Sequence, residues 1–311
     1  MAKIDPVKAR ESHDILPSPN TAIDTEIEQN RSVSFQERLY VYIHHKSLVA
    51  GFALLFVILL LTIGASLFAH YDPLAQDPSV VFESPSVHHL MGTDELGRDI
   101  FARVLYGGRQ TIFASILVVT IGMVVGSILG LAAGMVGGVV DMCIMRTMDL
   151  LLAFPGILLA LVVTTILGSG LGNAVAAIGI ASIPMFARVV HGGTLEARSL
   201  PYTEASFALG SGRIHVVWRH ILPSVRSVII VLATSWLGIG ALWVAALGFL
   251  GLGLQPPTPE WGAILNDGRN YVSIAWWLSL FPGIFLSAYV VASNLIGDGL
   301  RDVTDPTVVN H

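Results

Sequence analysis

Residues 48–69 read LVAGFALLFVILLLTIGASLFA, from Leu48 to Ala69, with no charged side chain among the 22. At about 1.5 Å per residue a helix of that length reaches roughly 33 Å, enough to cross the hydrocarbon core of a bilayer. The rest of the chain has the same character. Hydrophobic residues make up 53% of its 311 positions and charged residues 13%, with a mean hydropathy of +0.70. Soluble domains carry roughly 25% charged residues. Further apolar runs lie at 112–134, 142–168, 175–187, 225–248 and 274–296. The fourth is short and is expected to extend from Leu171 to His191. The pattern predicts an all-α polytopic membrane protein of about six transmembrane helices.

Cations set the expected orientation, because Lys and Arg accumulate in cytoplasmic loops. Six alternating spans that begin inside put both termini, the 135–141 turn and the 188–226 stretch on one face. Only Arg98, Arg103, Arg109 and Arg269 of the 17 Lys and Arg then face out. The first apolar segment is long enough to span and has no small-residue cleavage site behind a short apolar core, so a retained anchor is expected. The polar tail before it, with Pro17 and Pro19, reads as loosely structured. The formal charge of −5 gives no sign of a nucleic-acid partner. Cys143 is the chain's one cysteine, without His or acidic neighbours at ligand spacing, and reads as a small core residue.

Within the spans, Gly122, Gly126, Gly130, Gly134 and Gly138 recur every fourth residue and form a smooth helical stripe. Such stripes let helix backbones approach closely in lipid, where no hydrophobic drive joins helices. Packing within the bundle is the simpler use; sliding between two subunits is the other. Asp141, Arg146 and Asp149 punctuate the third span. Arg146 and Asp149, three apart, share a helix face and are expected either to pair near the cytoplasmic mouth or to line the pore or gate. Pro155 is expected to kink that span.

The polar island between the fourth and fifth spans carries the most information. Pro201 suits a first helical turn, and Glu204 favours the positive end of that helix. A short helix is expected over 202–209, ended by left-handed Gly210 and Gly212. A second helix should run from Arg213 to His220, with Pro223 resetting the chain. Five arginines face Glu196 and Glu204 between Arg188 and Arg226. On residues alone this is a basic loop at the cytoplasmic face.

Its spacing nevertheless resembles the EAA signature of bacterial ABC-importer permeases: Glu204 and Ala205, then Gly210, then Leu222-Pro223. Ser206 stands where a second Ala is common, and His220 where many members have Ile. Two further stretches are similar to the dipeptide, oligopeptide and nickel group of that family. One runs HLMGTDELGRD from His89 to Asp99, continuing to Arg103 and Gly107-Gly108-Arg109. The other runs LGFLGLG from Leu247, followed by QPPTPEWG from Gln255. Phe281-Pro282-Gly283, the run from Asn294 to Asp302, and Asp305-Pro306 match the same group.

The resemblance implies a type I ABC importer (MetI-like) permease fold. It implies a cytoplasmic tail over 1–46, a first span over 47–70 and an extracytoplasmic segment over 71–108. A permease core then covers 109–300 with a coupling loop over 191–223, and a tail covers 301–311. It also implies a multi-pass protein of the bacterial cytoplasmic (inner) membrane. The expected partners are a homologous second permease, two ATPase subunits and an extracytoplasmic binding protein, with short peptides as cargo. Nickel, glutathione or another small polar solute is the alternative. Coupling to the ATPase falls to Glu204, Ala205, Ser206, Gly210, Arg213, Leu222 and Pro223.

No G-x-x-x-x-G-K-[ST] loop occurs, and the lysines are Lys3, Lys8 and Lys46, all before the first span. ATP and Mg are therefore expected on partner subunits, with no cofactor, metal or catalytic residue on this chain. An ATP-independent ion-coupled carrier, the reading of another class, calls for ionisable residues at the midpoints of several spans; Arg146 and Asp149 are the exceptions to their absence. In the outer segments, Thr93, Asp94, Arg98 and Asp99 read either as a capped turn with local ion pairs or as a contact for the binding protein. Glu260 and Trp261 share the second reading, and Trp261 is also expected at the membrane interface behind a stiff Pro256–Pro259 loop. His88 and His89 lack a second ligand pair for a metal. Asn294 and Asp298 are expected to tie helix ends together.

Overall fold

The computed structural model describes residues 45–304. Most of both expected tails lies outside the described residues. Among those described, the chain is helical, and its one β-bridge joins Thr93 to Asp99.

The first span is α1 (Lys46–Ile63), followed by the short α2 (Ala65–Phe68) and a 3-10 turn at Pro78–Val80. The 37-residue α3 (Ile100–Val136) starts well before the expected apolar run. Asp99 explains the early start, since its Oδ2 accepts from the Ala102 backbone N–H at 2.8 Å and caps the helix. Gly137, at φ 71°, ends α3, and α4 (Gly138–Leu152) leaves in a new direction. Gly138 therefore lies outside the glycine stripe, with open space around its Cα.

The third expected span is two helices, α4 and α5 (Gly156–Leu167), bent by 91°. A kink at Pro155 understates the break. Pro155 lacks an N–H and disfavours helix at Phe154, and its own carbonyl starts α5 by accepting from Leu158 and Leu159. Among the described residues, five helices are thus long and apolar enough to cross a membrane, and there are six candidate spans if the bent pair counts as one.

The remaining elements are α6 (Leu171–Arg198), α7 (Pro201–Ala208), α8 (Arg213–Val216), a π turn at Val217–Ile221, α9 (Leu222–Phe249), α10 (Trp261–Gly268) and α11 (Trp277–Thr304). The fourth span reaches past His191 to Arg198, so the expected coupling loop starts at Ser199.

Side-chain contacts order the helices into a bundle with two distinct ends. Leu48 lies against Gly299 and His45 Nε2 is 3.3 Å from Asp302, so α1 and α11 are antiparallel. At the other end of α1, Arg109 donates to the carbonyls of Thr62 and Ile63 at 2.7 Å each. The glycine stripe packs against α6 of the same chain. Gly122 meets Ser182 and Phe186, Gly126 meets Phe186 and Ala187, Gly130 meets Ala187 and His191, and Gly134 meets Thr194. A Cβ at Gly126 would lie 2.6 Å from that of Phe186, so only glycine permits this seam.

One apolar core, at the Arg109 end, gathers Ile58, Ile100, Val104, Trp261, Trp277 and Tyr289. A second, mid-bundle, is built from small residues such as Ala114, Ala174, Ala177 and Ala181 with Val118 and Ile178. A third, at the opposite end, joins Met135, Val190, Ala197, Val216, Ile221 and Val225. Cys143 belongs to none of them. It is exposed on α4, because the 91° turn swings that helix off the core and leaves Met148 as its buried residue.

Candidate functional site

At the end of the bundle that holds the third core, residues 199–221 fold back as a helical elbow. Pro201 opens α7, where its missing N–H leaves no bond unmade, and Glu204 sits exposed in the first turn. Gly210 ends the helix at φ +86°, a left-handed conformation that glycine adopts without strain, while its N–H donates to Phe207 O at 2.9 Å. Gly212, expected to be left-handed as well, has φ −66° and precedes α8 as its N-cap.

Pro223 does not reset the chain. Residues 213–249 run as one continuous helical rod, and the π turn at Val217–Ile221 lies directly before the proline. A proline clashes with the carbonyl four residues back, here Arg219, and the wider π turn relieves that clash without breaking the rod.

The elbow is fixed from beneath. Leu200, Phe207 and Leu222 pack on the third core, and Thr203 is fully buried. Tyr202 Oη lies 3.1 Å from Ser224 Oγ, and Arg198 Nη1 donates to Gly134 O at 3.1 Å. Glu204, Ala205, Gly210, Arg213 and Pro223 share the exposed surface; Ser206 and Leu222 are half-buried. Beside them a groove is lined by Leu195, Arg198, Ser199, Glu204 and Phe207.

Three large apolar side chains missed in the sequence project from the same knob: Leu209 is 87% exposed, Ile214 77% and Trp218 69%. Ile214 and Trp218, four apart, lie on one helical face. The sequence signal for them is aliphatic and aromatic residues inside an otherwise polar loop. An apolar cluster of this exposure is the anatomy of a protein interface, with Trp as its strongest anchor.

Charges nearby pair differently from the sequence expectation. Asp149 Oδ1 accepts from Arg188 Nη2 at 2.6 Å, so α4 is tied to α6, and Arg146 is exposed with no carboxylate of a described residue in ion-pair range. Arg146 and Asp149 both lie on the unbroken α4, but Asp149 takes the guanidinium that α6 offers. Asp141 Oδ1 lies 2.9 Å from His191 Nε2, a close approach without hydrogen-bond geometry.

The five residues expected to meet a binding protein are all buried. Asp94 Oδ2 accepts from Arg98 Nε at 2.6 Å, and Asp94 Oδ1 accepts from the N–H groups of Leu96 and Arg98. Arg103 Nη2 reaches Asp267 at 3.4 Å, while Asp99 caps α3 and holds His89 Nδ1 at 2.9 Å. Glu260 is inaccessible. It caps α10 by accepting from Gly262 and Ala263, and it receives a 2.9 Å bond from Thr111. Burial pushes its carboxyl above the ordinary glutamate range despite those three donors. Trp261, expected at the membrane interface, is core: its Nε1 donates to Val104 O at 2.9 Å. Buried side chains bound on every side have no surface to offer a partner. Asn294 and Asp298 are exposed on α11 and bridge no helix ends among the described residues.

A family model described as binding-protein-dependent transport system inner membrane component matches residues 122–310. The chain belongs to this family. The matched region holds the elbow and the helices on either side of it. Glutathione transport system permease protein GsiD of Pectobacterium atrosepticum is 46% identical over 265 residues, covering 84% of this chain and 87% of that protein. GsiD of an Escherichia coli strain is likewise 46% identical, over 82% of this chain and 86% of its own. Among solved structures, inward-facing conformations of the MetNI methionine ABC transporter include a chain that superposes with a TM-score of 0.54. At 21% identity, the match covers 66% of this chain and 98% of that one. The permease thus has the type I, MetI-like importer fold. It is a multi-span ABC-importer permease of the bacterial inner membrane.

Proposed function

We propose that this permease passes short peptides, with glutathione the first to test, from an extracytoplasmic binding protein to the cytoplasm. It does so beside a homologous second permease and on two ATPase subunits that hold ATP and Mg. Both termini and the elbow face the cytoplasm, in keeping with Lys46, Arg146, Arg188, Arg198, Arg213, Arg219, Arg226 and Arg301 at the elbow end.

The observation that carries this reading is the elbow itself. It is a rigid two-helix knob with an exposed apolar tip, continuous through α8 and the π turn with the span α9. An ATPase that closes around Leu209, Ile214 and Trp218 would move the whole rod. The coupling role of Glu204, Ala205, Ser206, Gly210, Arg213, Leu222 and Pro223 rests on the same geometry: the exposed members line the knob, and the half-buried ones seat it. Glutathione is supported by the two 46% identical permeases, and short peptides by the sequence likeness to the dipeptide group.

The test is uptake of radiolabelled glutathione and of alanyl-alanine into proteoliposomes holding the complete complex and its binding protein. Enclosed ATP is expected to drive accumulation, and an imposed proton gradient without ATP is not. Accumulation on the gradient alone would replace this function with an ion-coupled carrier.

A further inference from the structure

The last helix carries a polar stripe that neither its packing nor the elbow uses. Leu280, Ile284, Ser287, Val291, Asn294 and Asp298 are all exposed and follow one another at intervals of three and four residues. At 100° per residue they fall on one face of α11. Asn294 lies about 15 Å along the axis from Thr304, well inside the span.

Several hydroxyls elsewhere in the spans hide their polarity, although Ser127 of α3 has no partner among the described residues. Thr120, Thr165 and Thr234 each donate to the carbonyl four residues back at 2.8 Å. Ser287 and the Asn294 amide have no such bond among the described residues. Unmatched groups of this kind cost several kcal/mol each in hydrocarbon, so lipid is a poor neighbour for this face. A dry seam with another helix is also poor, because it would bury Asp298, which has no hydrogen bond or ion pair among the described residues even though Arg301 lines the groove beside it. Towards the elbow, the stripe opens beside Asp298 and Arg301 into a groove lined by Val189, Ser227, Val231 and Ser235 from α6 and α9. Ser235 Oγ already donates to Val231 O at 3.1 Å, and water would satisfy Ser287, Asn294 and Asp298.

We propose that the Ser287–Asn294–Asp298 stripe, with the Ser227 and Ser235 groove, lines the aqueous route of the transported solute. Hydroxyl and amide groups both donate and accept, so the wall suits a small solute bearing amide groups. The interleaved Leu280, Ile284 and Val291 keep the contact weak enough for release. The inference goes beyond the choice of cargo and requires only that the chain works as an ATP-driven permease.

The test begins from Cys143→Ser, which removes the chain's exposed cysteine. Ser287→Cys, Asn294→Cys and Asp298→Cys are added singly, with Val162→Cys and Ile166→Cys on the exposed apolar face of α5 as controls. The complete complex in proteoliposomes is treated with a membrane-impermeant cationic methanethiosulfonate. Stripe cysteines should react about 100-fold faster than the controls, since only a hydrated thiol ionises. Their rates should also change about tenfold between nucleotide-free and vanadate-trapped complexes, as in a route that opens alternately. Ser287→Cys is nearly isosteric, so misfolding does not remove the test. Rates as slow as the controls in both states would overturn the proposal, as would fast labelling indifferent to nucleotide. ATP-driven uptake by the Cys143→Ser parent, measured alongside, keeps a failure of the stripe distinct from a failure of the permease reading.

Discussion

The two ends of the bundle handle charge in opposite ways. At the Arg109 end, Asp94, Arg98, Asp99 and Arg103 are all less than 5% exposed, and Glu260 is fully buried. Asp94, Asp99 and Glu260 also accept backbone N–H bonds, in the turn, α3 and α10 respectively. At the elbow end, Asp149 and Arg188 meet about half exposed, and Leu209, Ile214 and Trp218 of the knob point outward. A buried charge network resists rearrangement because each member, once orphaned, has no water to turn to. An exposed pair exchanges partners at little cost. One end therefore works as a fixed anchor, and the other keeps a surface that a second protein can seat.

If that contrast holds, substitutions at the anchor should unfold the permease, while those at the elbow should leave the fold intact and weaken assembly. Asp94→Ala has the largest expected effect. It removes the partner of Arg98 Nε and frees two backbone donors while Glu95 still holds Arg98 Nη2 at 3.0 Å, for a loss of about 3 kcal/mol in thermal unfolding of the detergent-purified chain. An unchanged melting curve would break the comparison at its strongest point. Trp218→Ala should leave the melting curve unaltered but lower affinity for the ATPase by about 2 kcal/mol, roughly thirtyfold, in a binding titration. Equal affinity would remove the apolar tip from the interface.

Glu260→Ala sharpens the anchor side, because it removes both caps of α10 and the partner of Thr111, at about 1–3 kcal/mol. The acid also sets a pH dependence. Its folded-state proton affinity is raised by burial, so stability should decline as pH rises from the ordinary glutamate value of about 4.3 through the raised value, then level off. Glu260→Gln should flatten that slope in melts taken across the range, and a slope that survives the change belongs to another group. Asp149→Asn has the smallest effect, at most about 1 kcal/mol for a half-exposed pair. A larger loss would move the α4 to α6 tie from the adaptable end to the fixed one.

The spans were legible because apolar runs of that length leave helix as the one backbone arrangement that satisfies its own hydrogen bonds in lipid. The elbow was legible from Pro201, Gly210 and the charges around them, which act locally. What the sequence hid was tertiary. Glu260 and Thr111 are 149 residues apart, and nothing local marks a carboxylate as a buried cap rather than a surface contact. Asp149 likewise pairs with Arg188, 39 residues away, rather than with Arg146 three residues away on the same helix, because tertiary packing brings α6 beside α4. The π turn before Pro223 was unreadable for a related reason, since a proline stops a helix unless the preceding turn widens.

Motion of the ATPases is held here to enter the membrane through the Gly210 elbow, and Gly210→Pro tests that most directly. Proline cannot reach φ +86° and removes the N–H that bonds Phe207 O, so the knob loses its shape while the buried anchor is untouched. In the reconstituted complex, ATP hydrolysis stimulated by solute-loaded binding protein should fall to its basal rate, and uptake should stop. Stimulated hydrolysis and uptake at the parent's level would contradict transmission through the elbow.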